Sequence, residues 1–257
     1  LKALAPAMMD TALWRNQWPK PVEIGGGAGI RWHGGRIVSS YPESMSWDDW
    51  HDTAALRIMN TASPIVELAD LRHYGDGIKM FAPGTSNFTI RSCYLENMHD
   101  DAIEGDWLPG GLIEDTCING AYMALAFRPR SSDDTSDGRN RLITVRNCLI
   151  RVRPQVSVYS GTSPGNASFF KYDTSNGRTP QFAIYNSIFL LEKKPGVNTK
   201  GAWVEPGKLV ACENVTLVYL DSGDYPVTLP ACVTFSRDRS IWDQALATWK
   251  SAHGIND

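Results

Sequence analysis

The strongest constraint on the fold is a short pattern that recurs along the middle of the chain. Each copy has an apolar residue, a polar residue two positions later and a second apolar residue three positions after that. Five copies begin at Ile90, Ile113, Val145, Ile184 and Cys212, and a looser sixth begins at Val66. Successive copies start 24, 23, 32, 39 and 28 residues apart, with polar inserts in the longer intervals. The base period is therefore close to 23 residues, which indicates a repeat architecture.

Each repeat has the composition of β-structure. Apolar and polar residues alternate with the period of two that is typical of strands. A unit of about 23 residues cannot bury its own apolar face, so it must stack on its neighbours. The sequence therefore predicts an all-β fold, a single-stranded right-handed parallel β-helix. A sandwich of hairpins is disfavoured because Asn-Gly and Asp-Gly turns are sparse between the repeats.

Asparagines recur at one position of the later repeats. Equivalent positions of stacked coils lie about 4.8 Å apart, close enough for side-chain amides to hydrogen-bond from coil to coil. We expect Asn147, Asn186 and Asn214 to form such a ladder inside the coils.

The repeats divide the chain into a core with two caps, all within one domain spanning residues 1–257. Residues 1–60, which contain Trp14 and Trp18, are expected to form an N-terminal cap and the first coils, and residues 61–236 the remaining coils. Residues 237–257 carry an apolar stripe at helical spacing after Ser240, an N-cap candidate followed by Asp243. This pattern predicts a short C-terminal helix that covers the last coil.

Composition excludes several classes of protein. The 257 residues carry a formal net charge of −3 and are 42% hydrophobic, as expected of a folded domain that binds neither nucleic acid nor other polyanions through bulk charge. No apolar run approaches the length of about 20 residues that a membrane helix needs. The five cysteines lack a Cys-x-x-Cys pair and are expected to be packed thiols, at least one of them unpaired. No signal segment precedes the first repeat, and we expect a secreted or periplasmic protein whose signal is not part of this chain.

Chemistry-bearing residues follow the apolar half of two neighbouring repeats. Residues 74–79 align with residues 99–104, so that Ile78 matches Ile103, and Leu125 follows in the next repeat. If these three side chains point inward, alternation sends Lys79, Glu104 and Arg128 outward as neighbours. Asp76, Asp100 and Asp101 would gather where the same strands begin.

Such crowding changes the acidity of the carboxyl groups. Three or four carboxylates within one or two strand spacings cannot all ionise freely, so at least one pKa should be raised. A protonated carboxyl beside an ionised one is the arrangement that hydrolysis of a glycosidic bond requires. The sequence therefore favours cleavage of a polysaccharide, with Asp100 or Asp101 as acid and Asp76 or Glu104 as base. His99, beside the acidic pair, is a further acid or base candidate, whereas the other four histidines are expected to be surface or packing residues.

Two of these motifs resemble those of a known family. Asp76-Gly-Ile and Asp100-Asp-Ala-Ile are similar to the Asn-Thr-Asp-Gly-Ile and Asp-Asp-Cys-Ile motifs of polygalacturonases, in the pectin-lyase-like β-helix superfamily. The resemblance covers residues 66–128 and implies that Asp76, Asp100 and Asp101 are the carboxylates of a hydrolytic site. The chain departs from the family at Gly75, which replaces a polar residue, and it lacks the Gly-His-Gly and Arg-Ile-Lys motifs.

A second chemistry fits the same residues. β-Helix polysaccharide lyases use Ca²⁺ to neutralise a uronate carboxylate while Lys or Arg removes a proton, and carboxylate oxygens suit Ca²⁺. Under this alternative a possible Ca²⁺ ion would be held by Asp100, Asp101, Glu104 and Asp106. The base would be Lys79, Arg128 or Lys171.

Further residues are candidates for substrate binding. Arg128 and Arg130 can clamp a uronate carboxylate, and Lys171 is an outward cation on its strand. Tyr74, Tyr122 and Trp107 can stack on sugar rings. A third possibility is a non-catalytic glycan-binding module, in which the acidic residues only cap turns.

Overall fold

The computed structural model of the protein describes residues 19–130, 135–156, 164–165, 168–172, 177–196 and 199–256. The predicted N-terminal cap is therefore described only from residue 19 onward, and Trp14 and Trp18 lie outside the described residues. The strands are β1 Val22–Gly25, β2 Arg31–His33, β3 Arg36–Val38, β4 Ala54–Met59, β5 Ile65–Glu67, β6 Asp70–Arg72, β7 Asp76–Met80, β8 Phe88–Arg91, β9 Tyr94–Gly105, β10 Gly111–Glu114, β11 Cys117–Phe127, β12 Leu142–Arg146, β13 Leu149–Val152, β14 Gln155–Val156, β15 Pro164–Gly165, β16 Ser168–Tyr172, β17 Gln181–Leu191, β18 Leu209–Tyr219 and β19 Val233–Ser236. The helices are α1 Trp47–His51, a 3-10 turn at Thr199–Ala202, and α2 Ser240–His253.

The strands form three parallel stacks. The first contains β1, β4, β7, the second halves of β9 and β11, and β16. The second contains β2, β5, β8, β10, β12 and the first halves of β17 and β18. The third contains β3, β6, the first halves of β9 and β11, β13, the second halves of β17 and β18, and β19. The fold is thus mostly β, with parallel strands curled round an axis, as is compatible with a parallel β-helix.

The repeat copies found in the sequence lie where the chain passes from the second stack to the third. Their first apolar residues stack inside the sheet, as Ile90, Ile113 and Val145 do through consecutive parallel pairs. The apolar residues that end the copies, such as Leu95 and Ile118, are also buried in the main core. Hydrophobic burial between layers therefore drives the stacking that the period predicted.

The asparagine ladder is confirmed for Asn186 and Asn214, but its predicted place inside the coils is wrong. Asn147, Asn186 and Asn214 are exposed, and each has a positive φ between 47° and 55°. They form the one-residue turn between the second and third stacks, a left-handed conformation that Asn tolerates better than most residues. Asn214 Nδ2 donates to Asn186 Oδ1 at 3.0 Å, so the stack runs along the outer surface.

Helix α2 is present where the sequence predicts it, but it does not cover the last layer. Its buried tryptophans, Trp242 and Trp249, pack on Tyr94, Cys117 and Leu149, which face outward from the third stack across several layers. The helix therefore covers the flank of that stack, because a row of outward apolar residues there needs burial.

The start of α2 also differs from the predicted capping box. Ser240 is its first residue rather than its N-cap, and Asp238 Oδ1 accepts the Ser240 N–H at 2.9 Å. The side chain of Asp243 pairs with Arg239 instead of returning to the helix terminus.

The cysteines divide into two groups. Cys93, Cys117 and Cys148 are buried free thiols, as predicted. Cys212 and Cys232 form a disulfide that joins β18 to the residue before β19, so the expectation of packed thiols is wrong for this pair. The spacing of single cysteines in sequence gave no sign of this pairing.

None of the helices in the described part of the chain is long and apolar enough to cross a membrane.

Candidate functional site

The predicted alignment of neighbouring layers in the first stack is confirmed. Ile78, Ile103 and Leu125 are paired in register and buried in the core. Lys79 is paired in register with Glu104, as the alternation of the strands requires.

The residue that follows on this outward row is not the predicted Arg128. Ala126 pairs with Glu104 on one side and with Lys171 on the other. The small side chain of Ala126 leaves room above it, and the ammonium of Lys171 can therefore extend toward the layer of Glu104.

An extra residue in β9 brings the carboxylates together. Two steps along β11, from Ala121 to Met123, match three steps along β9, from Met98 to Asp101, as in a β-bulge. One carboxylate oxygen from each of Asp76, Asp100 and Asp101 lies within 4.8 Å of the others. The three acids of the resemblance are therefore adjacent in space.

Two lysines neutralise this cluster. Lys79 Nζ lies 2.8 Å from Asp76 Oδ2 and also contacts Glu104 Oε2. Lys171 Nζ lies 2.8 Å from Asp101 Oδ2. The other oxygen of Asp101, Oδ1, is buried and has no hydrogen-bond partner among the described residues.

Helix α1 supplies a histidine that the sequence predicts to be an ordinary surface or packing residue. His51, the last residue of α1, places Nδ1 2.5 Å from Asp100 Oδ2. The helix can approach this closely because position 75 is glycine: a Cβ on Gly75 would lie 1.9 Å from the carbonyl oxygen of Trp50. The departure from the family motif at Gly75 thus allows α1 to dock. The sequence held no signal of the contact, since 49 residues separate the two partners.

These groups line or lie directly behind a polar cleft of about 370 Å³. Its lining residues are Lys20, His51, Asp52, Thr53, Ala54, Arg57, Asp76, Lys79, Phe81, Glu104, Asp106, Arg128, Arg130 and Lys171. Asp100 and Asp101 are not among them and are only 3% and 0% exposed. The acidic residues that line the cleft are therefore Asp52, Asp76, Glu104 and Asp106.

Three of the acids favour the protonated form. Burial, together with the charge of Glu104, raises the pKa of Asp106 to about 7 and that of Asp76 well above its usual value. Burial and the neighbouring Asp100 raise the pKa of Asp101 to about 7. These carboxyl groups can therefore hold protons near neutral pH.

The remaining acids stay ionised. Burial alone would raise the pKa of Asp100, but Lys171 and His51 outweigh it and keep that pKa below its usual value. Burial acts on Glu104 in the same way and is outweighed by Lys79 and Lys171. The cleft thus holds an ionised carboxylate, Glu104, whose charge helps to raise the pKa of the protonatable Asp106.

The basic partners have raised pKa values. The hydrogen bond to Asp100 raises the pKa of His51. Burial opposes the charge of Lys79 and of Lys171, yet the adjacent carboxylates raise both pKa values above the usual range for lysine. Neither lysine is therefore suited to accept a proton at neutral pH.

An arginine-lined rim surrounds one side of the cleft. The guanidinium carbons of Arg57 and Arg130 lie 3.8 Å and 4.6 Å from the centre of the Phe81 ring. Arg128, predicted to clamp a carboxylate, is exposed and also lines the cleft. The indole of Trp107 donates to the backbone carbonyl of Phe81 at 2.8 Å, although Trp107 does not itself line the cleft.

Two predicted sugar-stacking residues are wrong. Tyr74 and Tyr122 are 0% and 3% exposed and belong to the main hydrophobic core. Their rings cannot reach a glycan because both are packed in that core.

The prediction that His99 would gain proton affinity from the acidic pair is also wrong. His99 points away from the cleft, and its ring stacks on Trp50 with centroids 3.8 Å apart. Burial lowers the pKa of His99 to about 4 despite the nearby charge of Glu43. Its other neighbours, Asn97 and His73, form a separate polar cluster.

The acidic residues fit a Ca²⁺ ion poorly. Ca²⁺ takes six to eight oxygen ligands, whereas the ammonium groups of Lys79 and Lys171 already bind the oxygens of Asp76, Glu104 and Asp101. The predicted set that included Glu104 and Asp106 differs from the set of converging oxygens, in which Asp76 joins Asp100 and Asp101.

Comparisons with protein-family models, with curated protein sequences and with solved structures return no match.

Proposed function

We propose that this protein is a glycoside hydrolase that cleaves an acidic, uronate-containing polysaccharide on a right-handed parallel β-helix of the pectin-lyase-like type. The observation that carries the proposal is the pairing of the protonatable Asp106 with the ionised Glu104 in a cleft rimmed by arginines. Opposite protonation states of two neighbouring carboxyl groups are one requirement of acid and base catalysis at a glycosidic bond.

The roles follow from the protonation states. Asp106 donates its proton to the leaving glycosidic oxygen, and Glu104 activates the attacking water. Direct hydrolysis by water needs about 6.5–9.5 Å between the two carboxyl groups, so the side chains of Asp106 and Glu104 move apart when the sugar and the water enter between them. Asp76, also in the lining, holds Lys79 against Glu104 and so keeps Glu104 ionised. Asp100 and Asp101 act from behind the lining, by fixing His51 and Lys171.

The cationic rim supports an acidic substrate. Arg57, Arg128 and Arg130 line the cleft beside Lys20, and guanidinium groups bind carboxylates through paired hydrogen bonds. A uronate can therefore be held by its carboxylate while its glycosidic oxygen meets Asp106.

The same cleft is compatible with two alternative functions. In a lyase, a lysine or arginine would remove the C5 proton of a uronate, but the raised pKa values of Lys79 and Lys171 disfavour them as bases. A glycan-binding module would use the same cationic rim without cleavage.

The disulfide supports a secreted or periplasmic location as part of the proposal. Disulfides persist in oxidising compartments and are rare in the cytosol. Cys212 and Cys232 are bonded and join two strands of the third stack.

Digestion of a panel of polysaccharides tests the proposal. Pectate, alginate, glucuronan and xylan are incubated with the wild type, Asp106→Asn and the surface control Asp243→Asn, and reducing ends are measured together with the ultraviolet absorbance of unsaturated uronates. We expect new reducing ends without that absorbance from an acidic glycan, and a loss of about 10²-fold or more in Asp106→Asn only.

Other outcomes identify the alternatives. Absorbance that grows with the reducing ends would make the protein a lyase. Retention on a glycan affinity gel with no new reducing ends would make it a binding module. Full activity in Asp106→Asn would exclude the assigned acid.

A further inference from the structure

A second cluster of polar residues lies outside the cleft and takes no part in the proposed hydrolysis. One potential ligand atom from each of Glu43, His73 and His99 lies within 4.8 Å of the other two. The three residues come from different elements: the segment before α1, the turn between β6 and β7, and strand β9. Two imidazoles and a carboxylate are the ligands that first-row divalent metals prefer.

The spacing of the atoms suits a compact metal centre. His73 Nδ1 lies 3.5 Å from Glu43 Oε1, and His99 Nε2 lies 3.8 Å from Glu43 Oε2. Tetrahedral bonds of about 2.1 Å separate ligand atoms by roughly 3.4 Å. Only small side-chain shifts are therefore needed for a common metal ion.

The amide of Asn97 gives an independent indication of a missing ligand. Asn97 is 5% exposed, and its Nδ2 lies 2.8 Å from His73 Nδ1, 3.3 Å from His99 Nε2 and 3.0 Å from Glu43 Oε1. Two amide hydrogens cannot serve three acceptors fully. The other end of the amide, Oδ1, is buried without a hydrogen-bond partner among the described residues, which is costly. Rotation of the amide by half a turn directs Oδ1 at the same three atoms. The imidazole nitrogens can donate to Oδ1 in one tautomer, but the carboxylate oxygen of Glu43 repels it unless a cation lies between them.

The surroundings hold the ligands in place. The ring of His99 stacks on Trp50 with an angle of 3° between the planes. His73 and Asn97 both occupy left-handed turn positions, with φ of 60° and 56°, in neighbouring layers. Such fixed side chains lower the entropy cost of binding a metal.

We infer that Glu43, His73, His99 and the amide oxygen of Asn97 form a binding site for a divalent transition metal, with Zn²⁺ the best match. The site is structural: it fastens the segment before α1 to the strands and so holds α1, which carries His51 to the cleft. Glu43 is the exposed ligand, its side chain 63% accessible, and metal enters and leaves on its side.

Metal binding tests the inference without reference to activity. Tag-free protein stripped with a chelator is titrated with Zn²⁺ by calorimetry and with Co²⁺ by visible absorption, for the wild type, His73→Ala, Glu43→Gln and the control His33→Ala. His33 is a matched control because it is an exposed histidine that pairs with a different acid, Glu67. We expect one Zn²⁺ per chain, a tetrahedral Co²⁺ spectrum, and affinity at least tenfold weaker in His73→Ala and Glu43→Gln but unchanged in His33→Ala.

The Asn97→Asp variant tests whether residue 97 supplies the fourth ligand. A carboxylate at position 97 supplies an oxygen of the same reach, and we expect it to bind Zn²⁺ at least as tightly as the wild type. The inference is overturned if the wild type binds no Zn²⁺ at 1:1, or if His73→Ala binds as tightly as the wild type. Loss of binding in a folded Asn97→Asp variant would overturn the role of Asn97.

Discussion

The ammonium of Lys171 binds the carboxylate of Asp101 at 2.8 Å although 70 residues separate them in sequence. The two residues lie on layers separated by β11, and Ala126 is the β11 residue in register with Lys171. This contact places a buried cation at the centre of the acidic cluster. It explains how several carboxylates can be buried together, since a buried charge needs a partner of opposite sign.

We expect Lys171→Met to destabilise the protein by about 3–5 kcal/mol, because it leaves buried carboxylates without their cation. The loss should be larger at pH 8 than at pH 5, since protonation of the acids at low pH removes the unpaired charge. Urea unfolding at the two pH values measures both quantities. Lys193→Met, an exposed lysine, is the control. An equal loss at the two pH values would contradict the electrostatic explanation.

The pKa of Asp101 predicts a pH dependence of stability. Its folded-state pKa of about 7 lies above the usual value of 3.8, so its contribution to folding is full below that usual value and is lost as the pH rises through about 7. We expect the stability of the wild type relative to Asp101→Asn to fall between pH 4 and pH 8. Urea unfolding of both proteins across this range gives the difference directly. A difference that does not change with pH would show that Asp101 is ionised throughout.

The protonated form of Asp106 predicts the alkaline limit of activity. An acid with a pKa of about 7 must keep its proton to donate it, so kcat/KM should decrease above about pH 7. Removing the charge of Glu104 by Glu104→Gln lowers the pKa of Asp106 and should move any residual alkaline limb to lower pH. Initial rates of reducing-end release from pH 5 to pH 9 measure this shift. A limb that moves to higher pH would exclude Asp106 as the acid.

Substitution of Phe81 should weaken substrate binding without slowing the chemical step. Arg57 and Arg130 lie against its ring, and a cation on an aromatic face is stabilised by about 0.5–2 kcal/mol. Phe81→Leu keeps an apolar side chain but removes this attraction, and we expect KM for an acidic glycan to rise severalfold with little change in kcat. Steady-state kinetics measure the two constants. Leu142→Ala, at an exposed position outside the cleft lining, should change neither.

The backbone conformation of the exposed asparagines should affect the stability of the protein. Asn186 has φ 47°, a left-handed backbone conformation. Most residues with a Cβ are strained in this conformation, whereas Asn tolerates it. We expect Asn186→Ala to cost about 1 kcal/mol and Asn186→Gly less, because glycine adopts this conformation freely. Urea unfolding ranks the variants. Equal losses in the two variants would mean that the bond to Asn214, which both lack, matters more than the backbone conformation.

The sequence predicted how neighbouring strands align at the site better than it predicted which side chains lie there. The pairs Ile78 with Ile103 and Lys79 with Glu104 could be predicted because alternation and a fixed period apply along regular strands. The prediction fails at Arg128, whose expected place Ala126 occupies. It also fails at His51, because a contact across 49 residues depends on how α1 packs against Gly75.

The sequence by itself determined that strands would form, that they would stack in layers of about 23 residues, and that a helix would follow them. Burial of apolar residues at a repeated spacing is a local property, so it is readable from the residue order. Only the tertiary structure decided that Asp106 and Glu104 face the cleft while Asp101 lies behind it, and that α2 covers the flank of the third stack. These outcomes depend on one extra residue in β9 and on packing between distant segments, and no local pattern encodes either.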